Sequence, residues 1–306
     1  MAVSPPVGQS PCEKCGVAFP QDRTSCPHCG QPQLFPNVVR ARLPEEREAL
    51  EQRYQAAIRE ADRIDTRVEV DAFEQACRRS QAVLCCGIAK LLPVAKRERD
   101  LFANFYDLLS LRFIRAPASG EPDWNAVRPI AEIALLGSNR HHNKLHYAAL
   151  TLTGDGLPHY GECEIVLREE MISHRTSVFE ENSAVHVDRV GHKISLGRRS
   201  DWSDRGKLCV AKLAARITRG TIDNEFAGIV LKAGPTGVED EFVELHIFGE
   251  LTFYAFRRIR VRRQVMPKPS APNRPRKRRG TTEEKVLRDY CQQTLTNDEP
   301  VGFEIL

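Results

Sequence analysis

The chain has 306 residues, of which 41% are hydrophobic and 28% are charged, a composition typical of a globular protein and unlike that of a disordered or fibrous chain. Its formal net charge is only +4, which excludes a uniformly basic or acidic surface. The longest apolar run, residues 82–92, is too short to span a bilayer, and the opening sequence MAVSPP lacks the basic and apolar regions of a signal peptide. These features predict a cytoplasmic protein with no membrane partner.

The first motif along the chain is a pair of Cys-x-x-Cys turns, each followed by glycine. The four cysteines are Cys12, Cys15, Cys26 and Cys29. Each turn directs two thiolates towards one point, and two such turns complete the tetrahedral four-sulfur site of structural zinc. The short segment between them is too polar to form a core, so bound metal would supply most of the folding energy. The spacing predicts a zinc ribbon over residues 1–36; two disulfides, or pairs that do not meet, are the alternatives.

The next segment, residues 37–115, has the spacing of amphipathic helices. Pro44, followed by acidic residues, is typical of a first helical turn, and Leu50 begins an apolar face with helical period. Similar spacing predicts helices over about residues 71–85 and 97–113. Together these patterns predict a small helical domain.

A stretch rich in Pro, Gly and Ser at residues 116–124 marks a boundary, after which β-forming residues dominate. Strands are predicted at residues 145–152, 162–167, 226–232, 242–248 and 258–261. Short helices are predicted at residues 126–136, 168–174 and 207–217. The pattern predicts an α+β domain over residues 116–263 with a mainly antiparallel sheet. Residues 264–306 are predicted to be a basic, proline-rich linker and a C-terminal tail with a helix at 281–293.

Residues 241–249 alternate in a way that separates two faces of a strand. Val243, Leu245 and Ile247 form an apolar face, whereas Phe242, Glu244, His246 and Phe248 share the other face. Aromatic rings beside a carboxylate and an imidazole are typical of a ligand cleft. The alternative is a solvated glutamate on an open sheet face.

Three short motifs, spread over about residues 141–261, resemble bacterial ADP-ribosyltransferase toxin domains. The order Glu-x-His-Ile-x-Gly-x-Leu at residues 244–251, with a further strand after it, resembles their C-terminal end. Tyr160-Gly161 leads into a strand and then into an Arg-Thr-Ser segment that ends at Ser183, as in those domains. His146-Tyr147 lies where their first strand carries His or Arg. Two features depart from the family pattern: there is no Ser-Thr-Ser motif, and Phe242 replaces the Gln or Glu that normally positions the acceptor. These departures leave open a nucleic-acid acceptor, a divergent mechanism or an inactive domain.

The resemblance implies a cleft between two small sheets in which NAD is the substrate. Glu244 would be the catalytic residue, contacting the ribose and stabilising the positive charge that develops as nicotinamide leaves. The residues that the resemblance places around NAD are His146, Tyr147, Tyr160, Arg175 and Ser183. Each has a purely structural alternative, as a core histidine, a strand aromatic, a surface charge or a cap.

Residues 257–279 contain eleven Lys or Arg residues and no acidic residue. Within this segment Arg274, Arg276, Lys277, Arg278 and Arg279 are predicted to bind nucleic-acid phosphates; a solvated tether is the alternative. The sequence therefore supports two functions. One is an NAD-dependent ADP-ribosyltransferase that acts as a toxin or defence effector on a nucleic acid or protein. The other is a non-enzymatic adaptor that binds nucleic acid or protein through the zinc ribbon, the basic segment or the C-terminal helix. A transferase fold kept only as a scaffold is a third possibility.

Overall fold

The computed structural model describes residues 9–12, 14–20, 25–31, 35–95, 101–110, 124–137, 142–191, 193–262, 282–293 and 302–305. Within these ranges, none of the helices has both the length and the apolar character that crossing a bilayer requires. The fold mixes helices with a mostly antiparallel sheet, in line with the predicted α+β class.

The helices, in chain order, are α1 (Pro36–Ala41), α2 (Pro44–Arg63), α3 (Arg67–Arg78), α4 (Ile88–Ala95), α5 (Phe105–Ser110), α6 (Trp124–Leu136), α7 (Glu169–Ile172), α8 (Ser183–Val190), α9 (Arg205–Leu213), α10 (Phe226–Val230) and α11 (Thr282–Gln293). The strands are β1 (Gln9–Pro11), β2 (Ala18–Pro20), β3 (Gln81–Cys86), β4 (Leu101–Phe102), β5 (Leu145–Thr151), β6 (Cys163–Leu167), β7 (Thr176–Phe179), β8 (Arg199–Asp201), β9 (Glu244–Phe248), β10 (Leu251–Thr252), β11 (Phe256–Val261) and β12 (Gly302–Ile305).

One eight-stranded sheet organises the described chain, in the order β12-β11-β6-β3-β5-β9-β7-β8. All its neighbouring strands are antiparallel except β11 and β12, which are parallel. Strand β3 comes from the range predicted as a helical domain, 37–115, and it pairs with β5 and β6 from the range 116–263. The two ranges therefore contribute to one sheet.

The two faces of the sheet differ in what covers them. On one face, β9 carries Leu245 and Ile247, which lie on the same side of the chain as Val243. These side chains are fully buried in a large apolar cluster that also includes residues of α3 and α9. The alternation predicted for β9 is thus confirmed for its apolar side. On the opposite face, a smaller cluster joins Leu135 and Leu136 of α6 to Phe179 of β7. Glu244 lies on this second face, because it neighbours Leu245 along the strand.

Two predicted helices were right only in part, and one predicted strand was wrong. The helix predicted over 71–85 ends at Arg78, and strand β3 begins at Gln81. Strand β3 has buried side chains on both of its faces, so its sequence is an apolar run without alternation. Hydrophobic periodicity cannot distinguish such a run from part of a buried helix. Within the predicted helix 97–113, the described residues form the short strand β4 followed by the short helix α5. The strand predicted over 226–232 is helix α10, whose Phe226 and Val230 are buried one helical turn apart.

Candidate functional site

The four predicted cysteines lie together near the N-terminus. Cys12 Sγ is 3.5 Å from Cys29 Sγ, and Cys15 Sγ is 3.6 Å from Cys26 Sγ; all four sulfur atoms lie within 4.8 Å of one another. A disulfide would be roughly 2.05 Å long, so these are free thiols. Tetrahedral coordination with metal–sulfur bonds of roughly 2.3 Å separates the sulfurs by about 3.8 Å. The cluster is therefore compatible with a structural metal site.

The same backbone turn builds each half of this cluster. The Gly16 N–H donates to the Cys12 carbonyl at 2.8 Å, and the Gly30 N–H donates to the Cys26 carbonyl at 2.9 Å. Both glycines have left-handed backbones, with φ of +73° and +69°, a conformation that glycine adopts without steric cost.

A second candidate site surrounds Glu244, on the face of the sheet opposite the large apolar cluster. The Glu244 side chain is buried, and its Oε2 accepts a hydrogen bond of 2.8 Å from the Ser183 N–H. His246 Nε2 lies 2.8 Å from the same oxygen; since a carboxylate only accepts, Nε2 carries the proton in this contact. The other carboxylate oxygen, Oε1, accepts no hydrogen bond from any described residue. Glu244 is thus oriented by its neighbours through one oxygen only.

Helix α8 supplies the positive end that makes this buried carboxylate tolerable. Ser183 is the first residue of α8, and the side chain of Asn182 caps the helix by accepting from the Ala184 and Val185 N–H groups. Unpaired N–H groups and the helix dipole favour a negative charge at this end. The Ser183 hydroxyl is itself buried, and no described residue bonds to it. Because buried polar atoms are normally bonded, the Ser183 Oγ fits a polar group of a bound ligand, and the Glu244 Oε1 offers a further acceptor.

Tyr160 lies beside this pair. Its hydroxyl accepts a hydrogen bond of 3.0 Å from Asn182 Nδ2, and its ring meets Phe242 edge-on at 6.1 Å between centroids. Burial of the hydroxyl, and then the charges of Glu244 and Asp240, raise the pKa of Tyr160. The residue nevertheless keeps 39% of its surface exposed. Tyr160, Ser183 and Glu244 come from three separate segments, so the fold brings three of the predicted residues together.

Tyr147 lies on the same face but behind His246. The two residues are paired across β5 and β9, and their rings meet edge-on at 5.4 Å. The Tyr147 hydroxyl donates to the buried carboxylate of Glu132 at 2.7 Å. Tyr147 therefore supports His246, and through it Glu244.

His146 lies on the opposite face of the sheet from Glu244. It pairs with Ile247, and its ring centroid is 6.1 Å from that of Phe102. Burial, and then the charges of Lys90 and Arg175, hold the pKa of His146 well below its ordinary value. A neutral imidazole among apolar residues matches the alternative of a core histidine. The structure does not bring His146 together with Glu244.

Arg175 is also committed to the fold. Its Nη1 donates to the carbonyls of Phe248 and Glu250, each at 2.8 Å, and its Nε donates to the Met171 carbonyl at 3.0 Å. Burial lowers the pKa of Arg175 to about 10. The guanidinium thus ties the end of β9 to the loop before β7 rather than facing a phosphate beside Glu244.

The described residues do not form the two small sheets that the resemblance implies. Apart from the two-stranded pairs β1–β2 and β4–β10, their strands belong to one eight-stranded sheet. The predicted nucleic-acid-binding residues Arg274, Arg276, Lys277, Arg278 and Arg279 lie outside the described residues.

Sequence reasoning missed two polar groups near Glu244, a set of three residues and a pair. One is Glu132, which is fully buried and accepts from the hydroxyls of Tyr147 and Tyr106. The other joins His159 to Asp240. The only local signal for this pair was the position of His159 directly before Tyr160.

Gly161 directly follows Tyr160 and packs against the backbone of Cys86, so replacing it should disturb both the fold and the site. Its φ is +133°, and a Cβ there would lie 2.1 Å from the backbone carbonyl carbon of Cys86. We expect Gly161→Ala to lower the free energy of unfolding by about 3 kcal/mol, through backbone strain and overpacking. Urea unfolding followed by circular dichroism measures the change. Gly228→Ala is the matched control, since no atom lies within 4 Å of a Cβ at that helical position; equal stability of the two variants would contradict the prediction.

Comparison of the chain with models of known protein families and with curated proteins gave no match. The functional interpretation therefore depends on the geometry of these sites and on the motifs of the sequence.

Proposed function

We propose that the chain is an NAD-dependent ADP-ribosyltransferase with Glu244 as its catalytic carboxylate, and that the four-cysteine cluster holds structural zinc. The observation that carries the enzymatic proposal is the convergence of Tyr160, Ser183 and Glu244, together with two oxygens, Glu244 Oε1 and Ser183 Oγ, to which no described residue bonds. These are three of the residues that the family resemblance assigns to the NAD site. A set of four thiols with no oxygen ligand and no open position favours zinc in a structural role.

The arrangement around Glu244 suits the departure of a neutral leaving group. The Ser183 N–H and His246 fix Oε2, so Oε1 is held ready to accept a hydrogen bond from the ribose 2′-hydroxyl. The carboxylate then stabilises the positive charge that develops at the ribose as the bond to nicotinamide breaks, without reorganising at that moment. Ser183 Oγ offers a second contact to the ribose, and the exposed part of the Tyr160 ring offers a surface for nicotinamide to stack on.

The chemical class of the acceptor is inferred only from the family resemblance and from the distribution of charge along the sequence. A nucleic acid or a protein would receive the ADP-ribose group. Within the basic segment 257–279, residues 257–261 belong to β11, where Arg260 pairs with Asp155, and Arg262 pairs with Glu164. Attraction of an acidic acceptor is therefore assigned to the basic residues that follow in the sequence. A role as a toxin or defence effector in the cytoplasm stays a prediction from the sequence.

The test compares the rate at which the unaltered protein and the Glu244→Gln variant release nicotinamide from NAD. This substitution keeps the size of the side chain but removes its charge, and we expect the rate to fall by about 10²- to 10³-fold. Glu74→Gln is the matched control: Glu74 is equally buried and accepts from the Tyr54 hydroxyl at 2.7 Å, but it lies on α3. It should keep the rate of the unaltered protein. Circular dichroism and the urea midpoint verify that both variants fold.

Two results would contradict the enzymatic proposal. One is nicotinamide release that is the same for Glu244→Gln and the unaltered protein. The other is no release at all, with no label transferred from NAD when whole-cell lysate is added as the acceptor. Salt-sensitive binding of oligonucleotides in that second case, lost on deleting residues 274–279, would favour the adaptor function instead.

A further inference from the structure

His159 and Asp240 form an oriented acid–base pair beside the Glu244 site. His159 Nδ1 lies 2.9 and 3.1 Å from the two carboxylate oxygens of Asp240. The Asp240 side chain is completely buried, and it also accepts a hydrogen bond of 2.8 Å from the Gly234 N–H. About a third of the His159 side chain, 32%, is exposed, and its Nε2 bonds to no described residue. One ring nitrogen is therefore fixed by protein and the other is available.

The buried carboxylate determines which ring nitrogen carries the proton. Asp240 only accepts, so the neutral imidazole holds its proton on Nδ1 and leaves the lone pair on Nε2. A histidine whose Nδ1–H is held by a carboxylate is the arrangement by which proteins prepare a general base, since the carboxylate also stabilises the imidazolium after proton transfer.

The pair is adjacent to the candidate site through both of its residues. His159 and Tyr160 are consecutive in one short 3₁₀ helix, and Asp240 lies in the segment that leads into β9. Gly237 connects the two, because its carbonyl lies 3.5 Å from the Tyr160 hydroxyl and a Cβ on it would lie 3.3 Å from His159 Cβ. The charges of Asp240 and Glu244 both act on the Tyr160 hydroxyl. His159 therefore neighbours Tyr160, and Tyr160 is joined to the Glu244 site through Asn182 and Ser183.

We propose that His159 is the general base for a hydroxyl acceptor, positioned by Asp240; this inference rests on the proposed function. As the bond between ribose C1 and the nicotinamide nitrogen breaks, the acceptor oxygen forms a bond to C1. Its proton passes to His159 Nε2, and nicotinamide leaves as a neutral molecule. Water is the simplest such acceptor. The residue that usually positions an acceptor in the family is replaced here by Phe242, which cannot take a proton.

Azide provides the decisive test, because it is a nucleophile with no proton to remove. In His159→Asn the amide nitrogen can still donate to Asp240, but the base is gone. We expect nicotinamide release in water to fall by about 10²-fold or more, and sodium azide to restore most of the rate with formation of ADP-ribosyl azide, detected by mass spectrometry. Asp240→Asn should show a smaller loss and the same rescue. Glu244→Gln should keep its reduced rate when azide is added, since the charge at C1 is still unstabilised.

The outcomes separate this inference from the proposed function. If His159→Asn releases nicotinamide at the rate of the unaltered protein, or loses activity that azide does not restore, His159 is not the base, while Glu244-dependent release keeps the proposed function. If the unaltered protein shows no Glu244-dependent release, the proposed function fails and the role of His159 fails with it. Azide added to the unaltered protein gives the baseline for rescue.

Discussion

Replacing Cys26 with serine should abolish metal binding and unfold the N-terminal module. Cys26 is almost fully buried within the cluster, and the apolar cluster of this module consists of the four cysteines alone, among the residues described there. Bound metal contributes about 10–16 kcal/mol of apparent free energy in zinc-finger peptides, and among the described residues of this module no other apolar cluster could replace it. We expect native mass spectrometry to find one zinc ion per unaltered chain and none in Cys26→Ser.

The consequences of metal loss should be confined to the module. Limited proteolysis should cleave Cys26→Ser, or the protein treated with a chelator, within residues 12–30, whereas the eight-stranded sheet keeps its urea midpoint. Cys209→Ala is the matched control, because Cys209 is fully buried in the large apolar cluster, away from the four cysteines. It should retain one zinc ion. A full complement of zinc in Cys26→Ser would contradict the four-sulfur site.

The sequence predicted those elements of the fold whose signals lie within a few neighbouring residues. Strands β5, β6, β9 and β11 lie close to their predicted positions, because each has β-forming residues bounded by turn signals. Strand β3 was missed since it is buried on both faces, and its apolar residues continue directly from those of α3. Only pairing with β5 and β6, from residues far along the chain, determines that this run is extended.

The candidate site shows the same limit. Alternation along β9 was sufficient to place Glu244 and His246 on one face, and both are buried there. Alternation should also have separated His146 from Tyr147, since consecutive residues of a strand point to opposite faces, but the family resemblance placed both around NAD. The His159–Asp240 contact joins residues 81 positions apart, and no periodicity predicts such a pair.

A buried ion pair fixes α2 to the edge strand β8. Arg199 Nε lies 2.9 Å from Glu46 Oε1, with side chains that are 4% and 2% exposed. Because both charged groups are almost completely withdrawn from water, their attraction is screened less than that of a surface ion pair. Arg199 Nη1 also donates to the Leu135 carbonyl of α6, and Glu46 Oε2 accepts from the Gly197 N–H. Burial lowers the pKa of Arg199, and Glu46 supplies the compensating charge.

Glu46→Gln should therefore be the most destabilising of the glutamate substitutions on α2. It leaves the Arg199 charge buried without a counter-charge, which costs about 3–5 kcal/mol of the free energy of unfolding. Glu60→Gln is the control on the same helix: its ion pair with Arg63 is exposed, and its removal should cost less than about 1 kcal/mol. Urea unfolding measures both. A loss below 1 kcal/mol for Glu46→Gln would show that water reaches Arg199. If the cost instead arises from the uncompensated charge, Glu46→Gln combined with Arg199→Met should recover most of it, because the double variant buries no net charge.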